Sequence, residues 1–408
     1  MLLIGAILFF IIARKFRKEP LFCYLLIIYG ISFIATFVLQ KLTGRYEVTL
    51  ISFVYLIFVL LLYFIPYRGK IQLSNIHLNK AFVSIAKMFC VFLIPATFFY
   101  GYYAILTILY VDLSYSRIDS LMLVPPGLIN TVLSSFATLY FVPLFQYFVF
   151  LKDDKMPVLR IILLISTLSF PLLTLCYSGR DGLLYWGMNV LLFYFLFRRD
   201  LSSKQKNRTV VYMSVFSFMA AMVFMLISNA RFGHNTGGVY LSLLDYLGQQ
   251  SSHFSVAFHS EFLKGTTTLF PGWYELFGIT KSDYDYHDFV ANGMGSEYNI
   301  FGFFVKTLLC GYGVIGAVIV TLIIGFFTRK SVNKYNKTKN LISLIILVTL
   351  FQIPMNGLFY YRQGIGKGDV IYTIFLVVLL IYKHLIGNTT KSNTISSSNG
   401  ERIGKLAN

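Results

Sequence analysis

Runs of apolar residues, each about 17 to 25 long, recur along this chain with short basic segments between them, and that is the length a helix needs to cross roughly 30 Å of hydrocarbon. Lipid offers no partners to backbone N–H and C=O groups, so each run must satisfy its own hydrogen bonds as a helix. The pattern predicts an all-α, polytopic integral membrane protein with about eleven transmembrane helices. The expected spans lie near 1–13, 20–39, 48–65, 81–110, 131–151, 160–177, 183–197, 209–229, 309–328, 340–358 and 370–386. The first is too short to span unaided and would need tilt, or snorkelling by Arg14 and Lys15. Residues 1–386 are expected to form a single transmembrane domain with one long polar loop at 230–308, and the Ser- and Asn-rich stretch 387–408 a disordered tail. A composition of 57% hydrophobic and 13% charged residues over 408 positions agrees, being far from that of a soluble domain.

The net charge of +18 would suit nucleic acid if it covered one face of a soluble domain, but here it is divided among loops. Segments 14–19, 67–80, 152–160, 198–208, 329–339 and the tail from 383 hold 24 of the 35 Lys and Arg residues. The alternate loops hold 12 of the 17 acids. The positive-inside bias then puts the basic loops and the C-terminus in the cytoplasm and the 230–308 loop outside. Such short cytoplasmic loops cannot house a nucleotide-binding domain, and no GxxxxGK[ST] run occurs, which argues against ATP-driven transport. Cys23, Cys90, Cys176 and Cys310 lie in or beside apolar runs without metal or redox spacing. The first apolar run leads into Arg14, Lys15, Arg17 and Lys18 without a small-residue cleavage site, so no signal peptide is expected. Pro95, Pro143, Pro171 and Pro354 fall inside apolar runs, where neighbouring helices must take up the carbonyls they free.

Chemistry concentrates on the acidic side. Arg180 in YSGRDG, Arg231 in SNARFG and Arg362 in YYRQG come from distant parts of the chain to the same boundary. A charge held at the bilayer edge is costly without a partner, which could be a neighbour such as Asp181 or a ligand. The planar fork of arginine suits phosphate oxygens, and a membrane-edge position suits a lipid-linked phosphate. Within the long loop, Leu243, Leu244, Leu247, Phe254, Phe258 and Phe262 keep a partial helical period broken at Gly248. One or two amphipathic helices lying on the membrane or roofing a cavity are expected there. On a continuous helix His253 and Glu261, eight residues apart, point in neighbouring directions; either could act as a general base, or simply face solvent. Asp283, Asp285, His287 and Asp288 could hold a divalent cation, but the interleaved tyrosines favour a carbohydrate-facing surface, and no metal or other cofactor is expected. Glu297, Tyr298 and Asn299 precede the next span, and Gly311, Gly313 and Gly316 would let that helix begin close to its neighbours.

Together, the SGR-type turn, the long loop ending in Glu297-Tyr298-Asn299, the GYGVIG helix and the Arg362-Gln363-Gly364 turn resemble the Wzy-type O-antigen polymerases, over residues 160–375. The resemblance implies an enzyme of the bacterial inner membrane, active on the periplasmic face, that moves a growing glycan from undecaprenyl diphosphate to the non-reducing end of a lipid-linked repeat unit. It implies undecaprenyl-diphosphate-linked oligosaccharide, membrane lipid and a chain-length regulator as partners, and no nucleic acid. Arg180, Arg231 and Arg362 would then hold the diphosphate, Tyr298 and Asn299 the glycan, and His253, Glu261 or Glu297 would take the acceptor proton. Two other readings are a lipid-linked oligosaccharide flippase, which needs cations inside its spans, and an O-antigen ligase. Against the ligase, His234-Asn235 is followed by Asp245 where a glycine is expected.

Overall fold

The computed structural model describes residues 1–44, 47–71, 73, 80–110, 123–177, 179–232, 238–260, 269–279, 301–364 and 367–384. Among them there are helices and no strands. The helices are α1 (Leu2–Lys15), α2 (Pro20–Thr43), α3 (Leu50–Phe64), α4 (Lys80–Tyr110), α5 (Leu128–Ala137), α6 (Phe141–Lys152), α7 (Pro157–Ser166) and α8 (Ser169–Cys176). There follow α9 (Asp181–Phe197), α10 (Ser203–Phe232), α11 (Gly238–Gly248), α12 (Gln250–His259), α13 (Pro271–Leu276), α14 (Phe303–Thr338), α15 (Leu341–Asn356) and α16 (368–384). Six described stretches are long and apolar enough to cross a membrane, and α5 with α6, bent by 47° at their junction, would make a seventh. The protein is thus a polytopic helical membrane protein. α9 and α15, with 17 and 16 residues, are apolar but shorter than a full span.

Local chemistry sets the helix ends. Pro20 opens α2, where its missing N–H is not needed, and Gly44 closes it in the left-handed conformation at φ 66°. Thr49 and Asn340 cap α3 and α15, each accepting a backbone N–H with its side chain. Pro354 leaves the Leu350 carbonyl without its helical donor, and the Tyr67 hydroxyl donates to it at 2.9 Å. α14 breaks at Gly313, with φ 70° and ψ −176°, and the Tyr55 hydroxyl donates to the Val314 carbonyl beside the break. The GYGVIG glycines therefore kink a helix that starts earlier, at Phe303, instead of beginning one.

Aromatic rings fill the centre. Tyr29 packs against Phe64 at 4.9 Å and Phe303 at 5.2 Å, joining α2, α3 and α14. Asn189 of α9 and Gln352 of α15 exchange amide hydrogen bonds of 2.9 and 3.2 Å, and Asn189 also donates to the Tyr140 hydroxyl, which ties α9, α15 and the start of α6 in the interior.

α11 and α12 depart from the expectation of surface helices. They are two helices, as Gly248 suggests; α12 is buried in the bundle, while α11 packs on α2 with its described side chains half-buried. Gly248 meets the backbone of α2 so closely that a Cβ would sit 2.8 Å from the Ala35 carbonyl oxygen. Ser32 donates to the Leu247 carbonyl, Thr36 to Ser251, and Ser52 to Ser255. Of the hydroxyls that make QSSHFSVAFH look solvated, those of Ser251 and Ser255 meet α2 and α3 and that of Ser252 donates to the Gln249 carbonyl, and residues 250 to 255 are all buried.

Candidate functional site

The turn from α8 into α9 is held by two glycines. Gly179 donates its N–H to the Thr174 carbonyl at 2.7 Å, and a side chain at Gly182 would collide with that of Thr174. This fixes Arg180 immediately before α9 and Asp181 in its first turn, where a carboxylate is favoured by the helix dipole. The Arg180 guanidinium lies over the Tyr246 ring of α11, 5.7 Å from its centroid.

Asp181 is answered from the other side of the chain. Between α15 and α16, the Tyr360 hydroxyl donates to Asp181 Oδ2 at 2.6 Å, and Arg362, in the short 3₁₀ turn Arg362–Gly364, brings Nε to 3.9 Å from the same oxygen. Burial first, and then the Asp181 charge, pushes the Tyr360 phenol well above its ordinary range, so it remains a donor. The Arg362 side chain is only 14% exposed and its guanidinium rests over Phe170 at 5.4 Å. Phe170 is stacked in turn on Tyr140 at 4.6 Å. The ion pair of Asp181 is thus made with Arg362, 181 positions away, and not with the adjacent Arg180.

His253 lies on α12, which is not one of the spans, and is 2% exposed. Burial, with a smaller contribution from Lys306, pushes its imidazole down to about 3. It is therefore neutral and a weak base, and a negative charge brought beside it would raise it. A ladder of rings connects it to the arginines: Phe301 meets His253 at 6.1 Å, Tyr246 at 5.1 Å and Tyr360 at 6.3 Å.

The structure accordingly brings Arg180, Arg362 and His253 into one neighbourhood. Arg231 is in the last turn of α10, where only its backbone is described. Glu261, Glu297, Tyr298 and Asn299, the Asp283–Asp288 cluster and the tail from 387 lie outside the described residues. α12 ends at His259 with Ser260 extended, so the continuous helix on which His253 and Glu261 were expected to face one way stops before Glu261. Among the described residues no cluster of His, Cys, Asp and Glu is placed to hold a metal ion.

Lys306 was not anticipated. FGFFVK reads as the end of the loop, yet α14 begins at Phe303 and Lys306 is a buried cation within it, 2% exposed, whose ammonium donates to the Phe301 carbonyl at 2.9 Å. Tyr246, Tyr360 and Asp181 also join the site. An Arg-Asp dipeptide in a glycine turn is a visible signal; the tyrosines have none in a chain with 29 of them.

Two cavities flank this cluster. A groove of about 830 Å³ runs between α4, α5 and α16, lined by Asn130, Ser134 and Ser135, by apolar Ile374 and Val378, and by the Lys367–Glu275 ion pair of 3.3 Å. A smaller cavity of about 260 Å³ lies between α14, α15 and α16, lined by Tyr361, Gln363 and Asp369 among apolar side chains. Neither is lined by Arg180, His253 or Arg362; the 3₁₀ turn stands between, turning Arg362 towards Asp181 and Gln363 towards the smaller cavity. No family model matches this chain, and no curated protein or solved structure does so either.

Proposed function

We propose that this protein is a glycan polymerase of the Wzy type, transferring a growing glycan from undecaprenyl diphosphate to the non-reducing end of a lipid-linked repeat unit at the periplasmic face of the bacterial inner membrane. In this reading all eleven apolar runs are membrane segments and the C-terminus is cytoplasmic. The observation that carries it is the convergence of Arg180 and Arg362 around Asp181 at one end of a polytopic bundle. Two guanidinium groups set over aromatic rings, one of them held by a carboxylate, form a receptor that a diphosphate, with more and stronger acceptor oxygens, can take over. A diphosphate is already a good leaving group, so cations to neutralise it and a base for the acceptor hydroxyl suffice, and no nucleotide is needed. Arg231 would add a third cation, Tyr298 and Asn299 would face the glycan, and His253, Glu261 or Glu297 would take the proton. The 830 Å³ groove, lined by both polar and apolar side chains, is suited to part of a lipid tail.

One observation favours the alternative. A flippase for lipid-linked oligosaccharide needs cations inside its spans, and Lys306 is such a cation. Deleting the protein separates the two. Loss of polymerase leaves surface glycan as a single repeat on its acceptor, whereas loss of a flippase removes even that repeat.

A further inference from the structure

The ring of Phe301 touches every branch of the site at once. Its edge contacts reach the His253 imidazole, the Tyr246 ring that carries Arg180, and the Tyr360 ring whose hydroxyl holds Asp181. Edge-to-face contacts of this kind fix both distance and tilt. Its backbone is held just as closely. The Lys306 ammonium donates to the Phe301 carbonyl at 2.9 Å. The next N–H, of Gly302, is shared between Gln250 Oε1 at 3.0 Å and the Phe359 carbonyl at 3.2 Å, which joins the start of α14 to α12 and to the segment leading to Arg362. Gly302 has φ 127°, and a Cβ there would come within 2.6 Å of the Lys306 stem, so the position requires glycine. Phe303 follows with φ 61°, uncommon for a residue with a side chain. Two consecutive residues of positive φ make the reversal that carries the chain from Phe301 into α14, and strained backbone of this sort persists where surrounding contacts over-determine it.

We propose that Phe301, anchored by Lys306 and Gln250, is the positioning residue of this site: its ring sets the placement of His253 relative to the Arg180 and Asp181–Arg362 groups. Phe301 touches no reacting atom in this scheme and acts through its neighbours. Lys306 supplies the grip on the carbonyl, which accounts for a lysine stem laid along Gly302 inside a helix that is otherwise apolar on this side. The role rests on the glycan-transfer reading, since it assumes that a proton acceptor and a phosphate receptor must be held in register.

The test uses the full chain in proteoliposomes supplied with lipid-linked repeat units, comparing wild type, Phe301→Leu, Phe301→Tyr and Lys306→Met for kcat, for KM towards the lipid-linked substrate and for thermal unfolding midpoint. Phe301→Leu keeps the apolar bulk but loses the edge contacts, and kcat is expected to fall by about 10- to 100-fold, the scale of a misplacement near 1 Å, with KM changed less than about twofold. Phe301→Tyr keeps the ring and should retain most of kcat, while Lys306→Met, which keeps the stem without the donor, should move kcat in the same direction as Phe301→Leu. An unchanged kcat in Phe301→Leu, beside an active wild type, overturns the positioning role and leaves the polymerase reading standing. So does a loss of activity that merely follows a loss of folded protein. A correctly folded wild type that extends no glycan overturns the polymerase reading itself, and the role with it.

Discussion

The two ends of the helical bundle use their cations differently. At the end formed by the basic loops, Arg68 pairs with Glu19 at 3.1 Å and lies over Phe16 at 4.1 Å, Arg160 pairs with Asp154 at 2.7 Å, and Lys152 donates to the Leu73 carbonyl. Each of these two ion pairs has one open partner: Arg68 is 40% exposed beside Glu19 at 18%, and Asp154 is 76% exposed beside Arg160 at 17%. At the opposite end, the Arg362 and Asp181 side chains are 14% and 17% exposed, and both Arg362 and Arg180 are laid against aromatic faces. Open ion pairs contribute little to stability, so the basic end is best understood as a topology signal with incidental pairing. The Asp181–Arg362 pair is a different matter, because both of its members are enclosed and a charge drawn in among rings keeps its strength.

That contrast can be broken most decisively at Arg362. Arg362→Ala is expected to reduce chain extension by at least about 100-fold, with the protein still in the membrane, and Arg362→Lys should recover little because it lacks the fork. A normal glycan ladder from the alanine variant would erase the distinction between the two ends. Arg180→Ala should act in the same direction. Its effect is expected to be smaller, since its guanidinium shares no Asp181 contact in the structure. Asp181→Asn releases Arg362 from its competitor and also from its guide; the expectation is a lower KM for the lipid-linked donor together with a kcat lowered by about tenfold. A raised KM would place Asp181 on the substrate side.

The buried imidazole sharpens the comparison through pH. His253 is held near 3 when folded against an ordinary value of 6.5, so between those limits the unfolded chain binds the extra proton. Its contribution to stability is therefore complete above about 6.5 and is lost as pH falls from there towards 3. The unfolding midpoint of the wild type should drop more between pH 7 and pH 4 than that of His253→Gln, and parallel curves would contradict the burial of that ring. The smallest effect is expected at the basic end. Arg68→Ala should change stability by no more than about 1 kcal/mol and leave transfer untouched.

How much of this was legible beforehand depends on whether the signal is additive along the chain. Hydropathy is, so α2, α3, α4, α10 and α14 stand out as spans, and so do Arg180 and Arg362 as charges in short turns. Pairing across the chain is not. α12 read as a helix on the membrane or over a cavity because its serines count as polar in a sum, whereas the hydroxyls of Ser251 and Ser255 are spent on α2 and α3 and that of Ser252 on the Gln249 carbonyl. Lys306 was assigned to a loop because Phe303, with positive φ, starts α14 before the continuously apolar stretch begins. The exchange of Asp181 from Arg180 to Arg362 had no local mark at all, since the adjacent residue is always the simpler partner to infer.

The separation of Asp181 from Arg362 also bears on how the protein is made. Chains fold from the N-terminal side as they are synthesised, so α9 and its aspartate are in place well before the turn after α15 emerges from the ribosome. Through that interval neither Tyr360 nor Arg362 exists to meet the carboxylate, and the aromatic seat on Phe170 stands empty of its guanidinium. The cluster around Asp181 is completed only when the penultimate helix and the turn beyond it have been inserted. A chain cut short anywhere before Arg362 would hold most of its apolar helices and still lack the partners of Asp181, so synthesis itself sets the moment at which that cluster can close.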